Sequence, residues 1–392
     1  MQQNNKQIRV GIVGTGCIGR GLARVISKRK DMTVAGLLTR RKGKIEDLAV
    51  SQELVTLIPE ILFEKSDLIV VSTGDPLYST DIIDLAFTYD LPVVTMDADT
   101  QVVSGSWLSQ RGFITESEGD QPGCLAALKE EVELMGFKPI VYGNIKGFLN
   151  QNPSLEDMTF WAKKQGFSLN SVTSFTDGTK LQIEQCLVAN GFGAEIARQG
   201  LIGERVTELE NGAMALANEA GSLGKVLSDY IISRESPPGV FIAATHHEDL
   251  SSGLKTYKMG DGPYYLLYRP IHLCYFEIPK TIHRAYYSQN VLLSNGTRPK
   301  ISVGAVAKDK ISRGTHISKG IGSMELRGEA IELKENPIHI PIGLMDNVVF
   351  TNNIEPGQVI TFDDVDVPES KALKAWLSSI KIIDRATIEY KI

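Results

Sequence analysis

Apolar positions in the first third of the chain come in short, nearly unbroken runs. Ile8-Arg9-Val10-Gly11-Ile12-Val13, Met32–Leu38, Asp67–Gly74 and Pro92–Met96 are separated by amphipathic stretches such as Arg20–Lys28 and Asp81–Tyr89. Continuous apolar strands alternating with helices predict a parallel sheet covered on both faces, because a strand with one wet face alternates apolar and polar residues instead. A helix over Cys124–Met135 and a strand over Lys138–Tyr142 carry this pattern to about residue 145. Longer helices follow, at Lys180–Leu201 and Leu209–Leu227, then strands at Gly239–Ala244 and Tyr264–Tyr268, an α+β pattern. Beyond Pro299 the runs are short, β-rich and broken by glycine and proline (Ile301–Ala307, Pro337–Ile342, Asn347–Thr351), which suits a small all-β module. The expected organisation is therefore α/β: a doubly wound parallel sheet over 1–145, an α+β domain for substrate and oligomerisation over 146–298, and a β module over 299–392.

The first strand runs directly into Gly14-Thr15-Gly16-Cys17-Ile18-Gly19 and then a helix. This is G-x-G-x-x-G in strand–turn–helix context, the dinucleotide-binding fingerprint of a Rossmann-like sheet. All six residues are cofactor-site candidates, with a pyrophosphate meeting the free N–H groups at the helix start. About 20 residues on, where an NAD enzyme carries Asp or Glu for the ribose 2′-hydroxyl, the second strand ends in Thr39-Arg40-Arg41-Lys42. A hydroxyl and cations suit a 2′-phosphate, so NADP(H) is expected over NAD(H). A solvated basic turn is the alternative. Ligands of such sheets lie beyond the carboxyl ends of the strands, which places Ser72, Thr73 and Gly74, and Asp97–Thr100, near the nicotinamide.

Charge and length narrow the partners. With 392 residues and a net charge of −6 the chain has no basic surplus for nucleic acid. No apolar run is long enough for a bilayer, and Met1-Gln2-Gln3-Asn4-Asn5-Lys6 has no signal-peptide core, so a cytoplasmic protein is expected. Cys17, Cys124, Cys186 and Cys274 are scattered, without the spacing of a zinc or disulfide framework.

Three constellations could carry chemistry. Asp177, Lys180 and Glu184 are spaced by three and four, one helix face, with Asp177 near its start and Asn190 further along. A lysine flanked by two carboxylates can protonate a carbonyl oxygen while a carboxylate orients it; a solvated i,i+4 salt bridge is the plain alternative. Asp120 and Gln121 precede a proline that can open a helix, so they are either substrate ligands or a cap. Arg269 and His272 offer an anion clamp beside Met259–Tyr265, whereas His246-His247-Glu248-Asp249 is a weak metal candidate, since adjacent loop residues rarely converge.

On these residues the chain resembles the homoserine-dehydrogenase-like oxidoreductases with a C-terminal SAF-type β module, and within them the 1-deoxy-D-xylulose 5-phosphate reductoisomerase-like group. The matching pieces are Gly14–Arg20, Gly119–Pro122, Asp177–Lys180 with Glu184 and Asn190, Met259–Tyr264 with Arg269–Leu273, and the paired Val306–Gly314 and Asn353–Thr361. The resemblance implies NADPH-dependent reduction of a carbonyl in a phosphorylated sugar or branched polyol precursor, with reductoisomerase activity as its sharpest form. The substrate would lie between the two larger domains, with Lys180 as proton donor, Asp177 and Glu184 orienting it or a Mg²⁺ or Mn²⁺, and Arg269 with His272 on the anionic tail. Two alternatives stand beside it: a homoserine-type dehydrogenase, although Thr95–Thr100 lacks the lysine such enzymes place there, and a non-catalytic NADP-sensing protein. A homo-oligomer is expected, with the tail as an assembly or lid element more than a source of catalytic groups.

Overall fold

The computed structural model describes residues 7–389; the Met1–Lys6 stretch considered above lies outside them. The described residues form two compact units, 7–124, 272–297 and 374–389 in one, and 125–271 with 298–373 in the other. It is an α/β protein in which a parallel Rossmann-like sheet is joined by a mixed sheet and small antiparallel sheets.

In the first unit six strands, β1 (Ile8–Val13), β2 (Met32–Leu38), β3 (Val55–Thr56), β4 (Leu68–Val71), β5 (Val93–Thr95) and β6 (Ile114–Glu116), lie in the order β3-β2-β1-β4-β5-β6. All five pairings are parallel. Both faces are buried: Ile8, Val10 and Ile12 pack with Leu22 and Ile26 on one side, and Val13, Ile69 and Val71 with Ile82 and Ile83 on the other. Residues 272–297 return to this unit, where Ile278, Ile282 and Ala285 join the first of these clusters.

The second unit is built on a sheet in the order β11-β10-β7-β9-β8, formed by β7 (Lys138–Lys146), β8 (Glu204–Arg205), β9 (Leu227–Ile232), β10 (Val240–Thr245) and β11 (Tyr264–Arg269). Alternation along β7 divides its faces. Val141 and Ile145 pack on Ala213, Leu216 and Ala217 of the helix Leu209–Leu223, while Asn144 and Lys146 reach Glu184 of the helix Thr179–Phe192. That second helix is shorter than its pattern suggested, because Gly193 takes a left-handed φ of 70° and ends it. It is buried from Leu181 to Ala189, polar residues included.

What covers it is a ribbon of β12 (Ile301–Ala307) and β14 (Leu326–Glu332), accompanied by β13 (His316–Ile317), β15 (Val348–Phe350) and β16 (Val365–Asp366). Polar side chains of the helix hydrogen-bond the ribbon's open backbone groups. Thr179 Oγ1 accepts from Gly328 N–H at 2.9 Å and Gln182 Oε1 from Ala330 N–H at 2.8 Å. The stretch Pro337–Ile342 is not a strand; it touches its neighbours through single bridges at His339 and Pro341.

His339 has a measurable consequence. Its ring is buried between the Asn336 carbonyl and Ser302 Oγ, and burial pushes its pKa down to about 4 from the ordinary 6.5. A folded-state pKa below the unfolded one means that this contribution is complete above pH 6.5 and is lost as pH falls toward 4, up to about 3 kcal/mol. Thermal melts between pH 7 and 4 should decline, and His339→Gln, which cannot titrate, should flatten part of that decline. Parallel slopes in both proteins would assign the acid sensitivity elsewhere.

Candidate active site

The fingerprint loop follows from its neighbours. Gly14 has φ of 110°, and a Cβ there would lie 2.5 Å from the Ser72 carbonyl oxygen. A Cβ on Gly19 would lie 1.9 Å from the Gly14 carbonyl oxygen, so only glycine lets helix and turn close. Gly16 faces open space and caps the helix Cys17–Ile26 with no side chain on its N–H groups. These residues fit a dinucleotide phosphate: an open backbone approach beside an uncapped helix start. Thr15 and Thr39 exchange a buried hydroxyl hydrogen bond of 2.8 Å, so both brace the loop; Ile18 packs on the core and Cys17 is exposed.

One sequence-based assignment changes here. Arg40 pairs with Asp75 at 2.8 Å and lies 4.3 Å over the Tyr78 ring, since both face it from the start of the helix Pro76–Phe87. Arg41 instead lines a pocket of about 450 Å³ with Gly43, Lys44, Gln52, Val55, Thr56 and Leu57, at the ends of β2 and β3. On the other side of the loop Ser72 N–H donates to the Val13 carbonyl. Thr73 and Gly74 are fixed by Asp97, whose carboxylate accepts from both their N–H groups at 2.8 and 3.0 Å and from Ser79 Oγ at 3.0 Å. Burial, and next the Asp99 charge, push the Asp97 carboxyl above its usual range. Asp97 is a clamp that its place in an Asp-Ala-Asp-Thr stretch did not reveal.

Asp120 and Gln121 are buried at the start of the helix Gln121–Leu134. The turn before it is held by the returning segment: His272 Nδ1 donates to the Gly119 carbonyl at 3.0 Å, and Lys280 bridges Glu118 and Glu277 at 3.0 and 3.2 Å. His272 is thus committed to backbone. It belongs to the first unit and Arg269 to the second.

The second unit holds the lysine–carboxylate group, in a form different from that expected. Glu184 is buried on the sheet-facing side of its helix. Its Oε2 accepts from Asn144 Nδ2 at 2.8 Å and from Lys146 Nζ at 3.1 Å, while Lys180 Nζ stands 3.9 Å from Oε1. Asp177 does not extend this face. It ends the helix Leu169–Thr176, accepts from Thr179 N–H at 2.8 Å, and pairs with Lys308 at 2.8 Å; that ion pair has side chains 0% and 2% exposed. Burial raises the Asp177 carboxyl and the Lys308 charge opposes the rise.

Asn190 is likewise structural: its amide donates to the Ile301 carbonyl at 2.8 Å and accepts from Lys300 and Ile301 N–H at 2.9 and 3.0 Å, completing the start of β12. Lys146, Asn144 and Lys308 were missed because each is far in sequence from its partner. A lysine and an asparagine two apart on one strand were the available hint.

This donor set does not fit a divalent cation, because ammonium groups already neutralise both carboxylates. Among the described residues no cluster of three or more His, Cys, Asp or Glu could hold a metal, and His246 bonds the Met135 carbonyl. No helix among the described residues is long and apolar enough to cross a membrane.

Residues 119–278 match the family model described as Oxidoreductase DRL, catalytic domain. A search of curated proteins returned no match. Solved structures that align include a putative myo-inositol dehydrogenase from Sinorhizobium meliloti (12% identity, 74% of this chain and 92% of that one, TM-score 0.42). A probable dehydrogenase from Thermotoga maritima aligns at 14% identity over 72% and 90% with TM-score 0.40. The UDP-N-acetylglucosamine 3-dehydrogenase GnnA from Acidithiobacillus ferrooxidans aligns at 12% over 74% and 92%, also at 0.40. The matched model corrects the resemblance drawn from the motifs: the homoserine-dehydrogenase-like and 1-deoxy-D-xylulose 5-phosphate reductoisomerase-like assignments are not retained, and no comparison supports the SAF-type label for the tail. With a dinucleotide fingerprint on a β3-β2-β1-β4-β5-β6 sheet and, after it, a segment that matches an oxidoreductase catalytic domain, the chain is an NAD(P)-dependent oxidoreductase.

Proposed function

We propose that the enzyme interconverts a secondary alcohol and a carbonyl on a polyol- or sugar-class substrate, with NADP(H) preferred. The observation that carries the reading is the lysine–carboxylate pair at 3.9 Å, a part-exposed Lys180 and a buried Glu184 on one helix, inside the segment that matches an oxidoreductase catalytic domain. A bound nicotinamide supplies the hydride donor or acceptor at its C4. Lys180 Nζ holds the proton that the substrate oxygen gains on reduction and releases on oxidation. Glu184, itself held by Asn144 and Lys146, keeps the Lys180 ammonium in place, and these closely set polar groups suit a hydroxylated substrate better than an apolar one. Screening polyols, sugars and hydroxylated carbonyls, free and phosphorylated, for change in NADPH absorbance tests the reading. Turnover confined to amino alcohols, or bound cofactor with no turnover on the whole panel, would overturn it.

Cofactor preference rests on the pocket beside β2. Arg41 and Lys44 line it and would meet a 2′-phosphate there, whereas Arg40 already has Asp75. Charge-assisted contacts of this kind are worth about 1.5–3 kcal/mol each. Arg41→Ala with Lys44→Ala should therefore weaken NADPH binding at least tenfold in a fluorescence titration, leaving NADH within a factor of about two. Equal losses for both cofactors would count against NADP selection.

A further inference from the structure

The catalytic reading assigns Lys180 a proton, yet the ammonium nearer to Glu184 is a different one. Lys146, on β7, reaches Glu184 Oε2 at 3.1 Å, against 3.9 Å from Lys180 to Oε1. Both lysine side chains keep about a fifth of their surface exposed (22% and 20%), whereas the carboxylate between them is 4% exposed. Asn144, two residues before Lys146 on the same strand face, donates to that same Oε2 at 2.8 Å, and its own Oδ1 is buried without a partner. One strand, distant in sequence from the helix, thus delivers both a cation and an amide donor to one oxygen of Glu184, and the other oxygen faces Lys180.

We propose that Lys146 is a positioning residue for Lys180, acting through Glu184. This deepens the catalytic reading and rests on it. A buried carboxylate beside a single lysine would hold that ammonium tightly and oppose release of its proton. With Asn144 and Lys146 sharing the load on Oε2, the pull of Glu184 on Lys180 is divided. The longer 3.9 Å separation is the geometric expression of that division. Lys146 and Asn144 remain on Glu184 Oε2 while Lys180 gives and takes its proton, so the carboxylate keeps donors when that proton leaves.

The test reads the Lys180 amine directly and needs no substrate. The full-length protein is labelled with trace acetic anhydride at pH 8, and the rate at Lys180 relative to the exposed Lys28 is taken from peptide mass spectrometry. Lys146→Met should slow Lys180 labelling about tenfold, because Glu184 then binds it undivided. Lys146→Arg should restore most of the rate, since it keeps the cation on Oε2. Glu184→Gln should speed labelling, and adding Lys146→Met to Glu184→Gln should change nothing further. NADPH titration and melting temperature confirm that each variant is folded. An additive double variant, or labelling that Lys146→Met leaves unchanged, overturns the proposal whether or not a polyol substrate is found. Absence of turnover with this labelling pattern intact would instead fault the catalytic reading alone.

Discussion

Lys308→Ala should destabilise the second unit by about 3–5 kcal/mol, because it strands the buried Asp177 carboxylate without its cation. The pair is 2.8 Å long and its side chains are almost wholly buried, and Lys308 also donates to the Ser323 carbonyl at 2.8 Å. The loss reaches the catalytic helix, since the same carboxylate holds the first N–H of Thr179–Phe192 through Oδ1. For a unit of this size the melting temperature should drop on the order of 10 °C. Combining Asp177→Asn with Lys308→Met removes both charges, retains an oxygen for the Thr179 N–H, and should recover most of the loss. Calorimetry separates these outcomes: a Lys308→Ala protein melting within 2 °C of wild type would show that water or another group already compensates Asp177.

Lys180→Met should lower turnover by about 10²–10⁴-fold, the range for loss of a positioned general acid or base, once screening has supplied a substrate. Cofactor affinity should stay unchanged, because the fingerprint that meets the pyrophosphate is residues 14–19, and Glu184 should stay held, since Asn144 and Lys146 remain on its carboxylate. Substrate KM should move far less than kcat, as a group that matters mostly when charge develops on the oxygen contributes little to ground-state binding. Turnover within a factor of a few of wild type would leave Lys180 a salt-bridge residue and move the proton to another group.

Much of the first unit was legible because its determinants are local. The central strands there are nearly continuous apolar runs buried on both faces, Leu68–Val71 completely so, and the glycines sit next to the strand and helix whose approach they permit. Thr39 and Arg40 show where such reading stops. Both belong to the expected basic turn, yet one is spent on Thr15 and the other on Asp75, partners at separations of 24 and 35 positions that no window contains. The same limit applies to Asn190, whose amide suggested a substrate ligand and instead completes the backbone of β12.

Residue order by itself determined the parallel sheet, the dinucleotide turn, the helix bearing Lys180 and Glu184 four apart, and the β-rich character of the tail, since periodicity and glycine spacing act within a few residues. Only the tertiary structure decided what each charge on that helix is for. Sheet pleat directs Asn144 and Lys146 of β7 at Glu184, and the ribbon of β12 and β14 brings Lys308 to Asp177, so one carboxylate became part of the candidate site and the other a buried strut. Ion-pair partners are chosen by distance in space and by burial, and a linear sequence encodes both only through the finished fold.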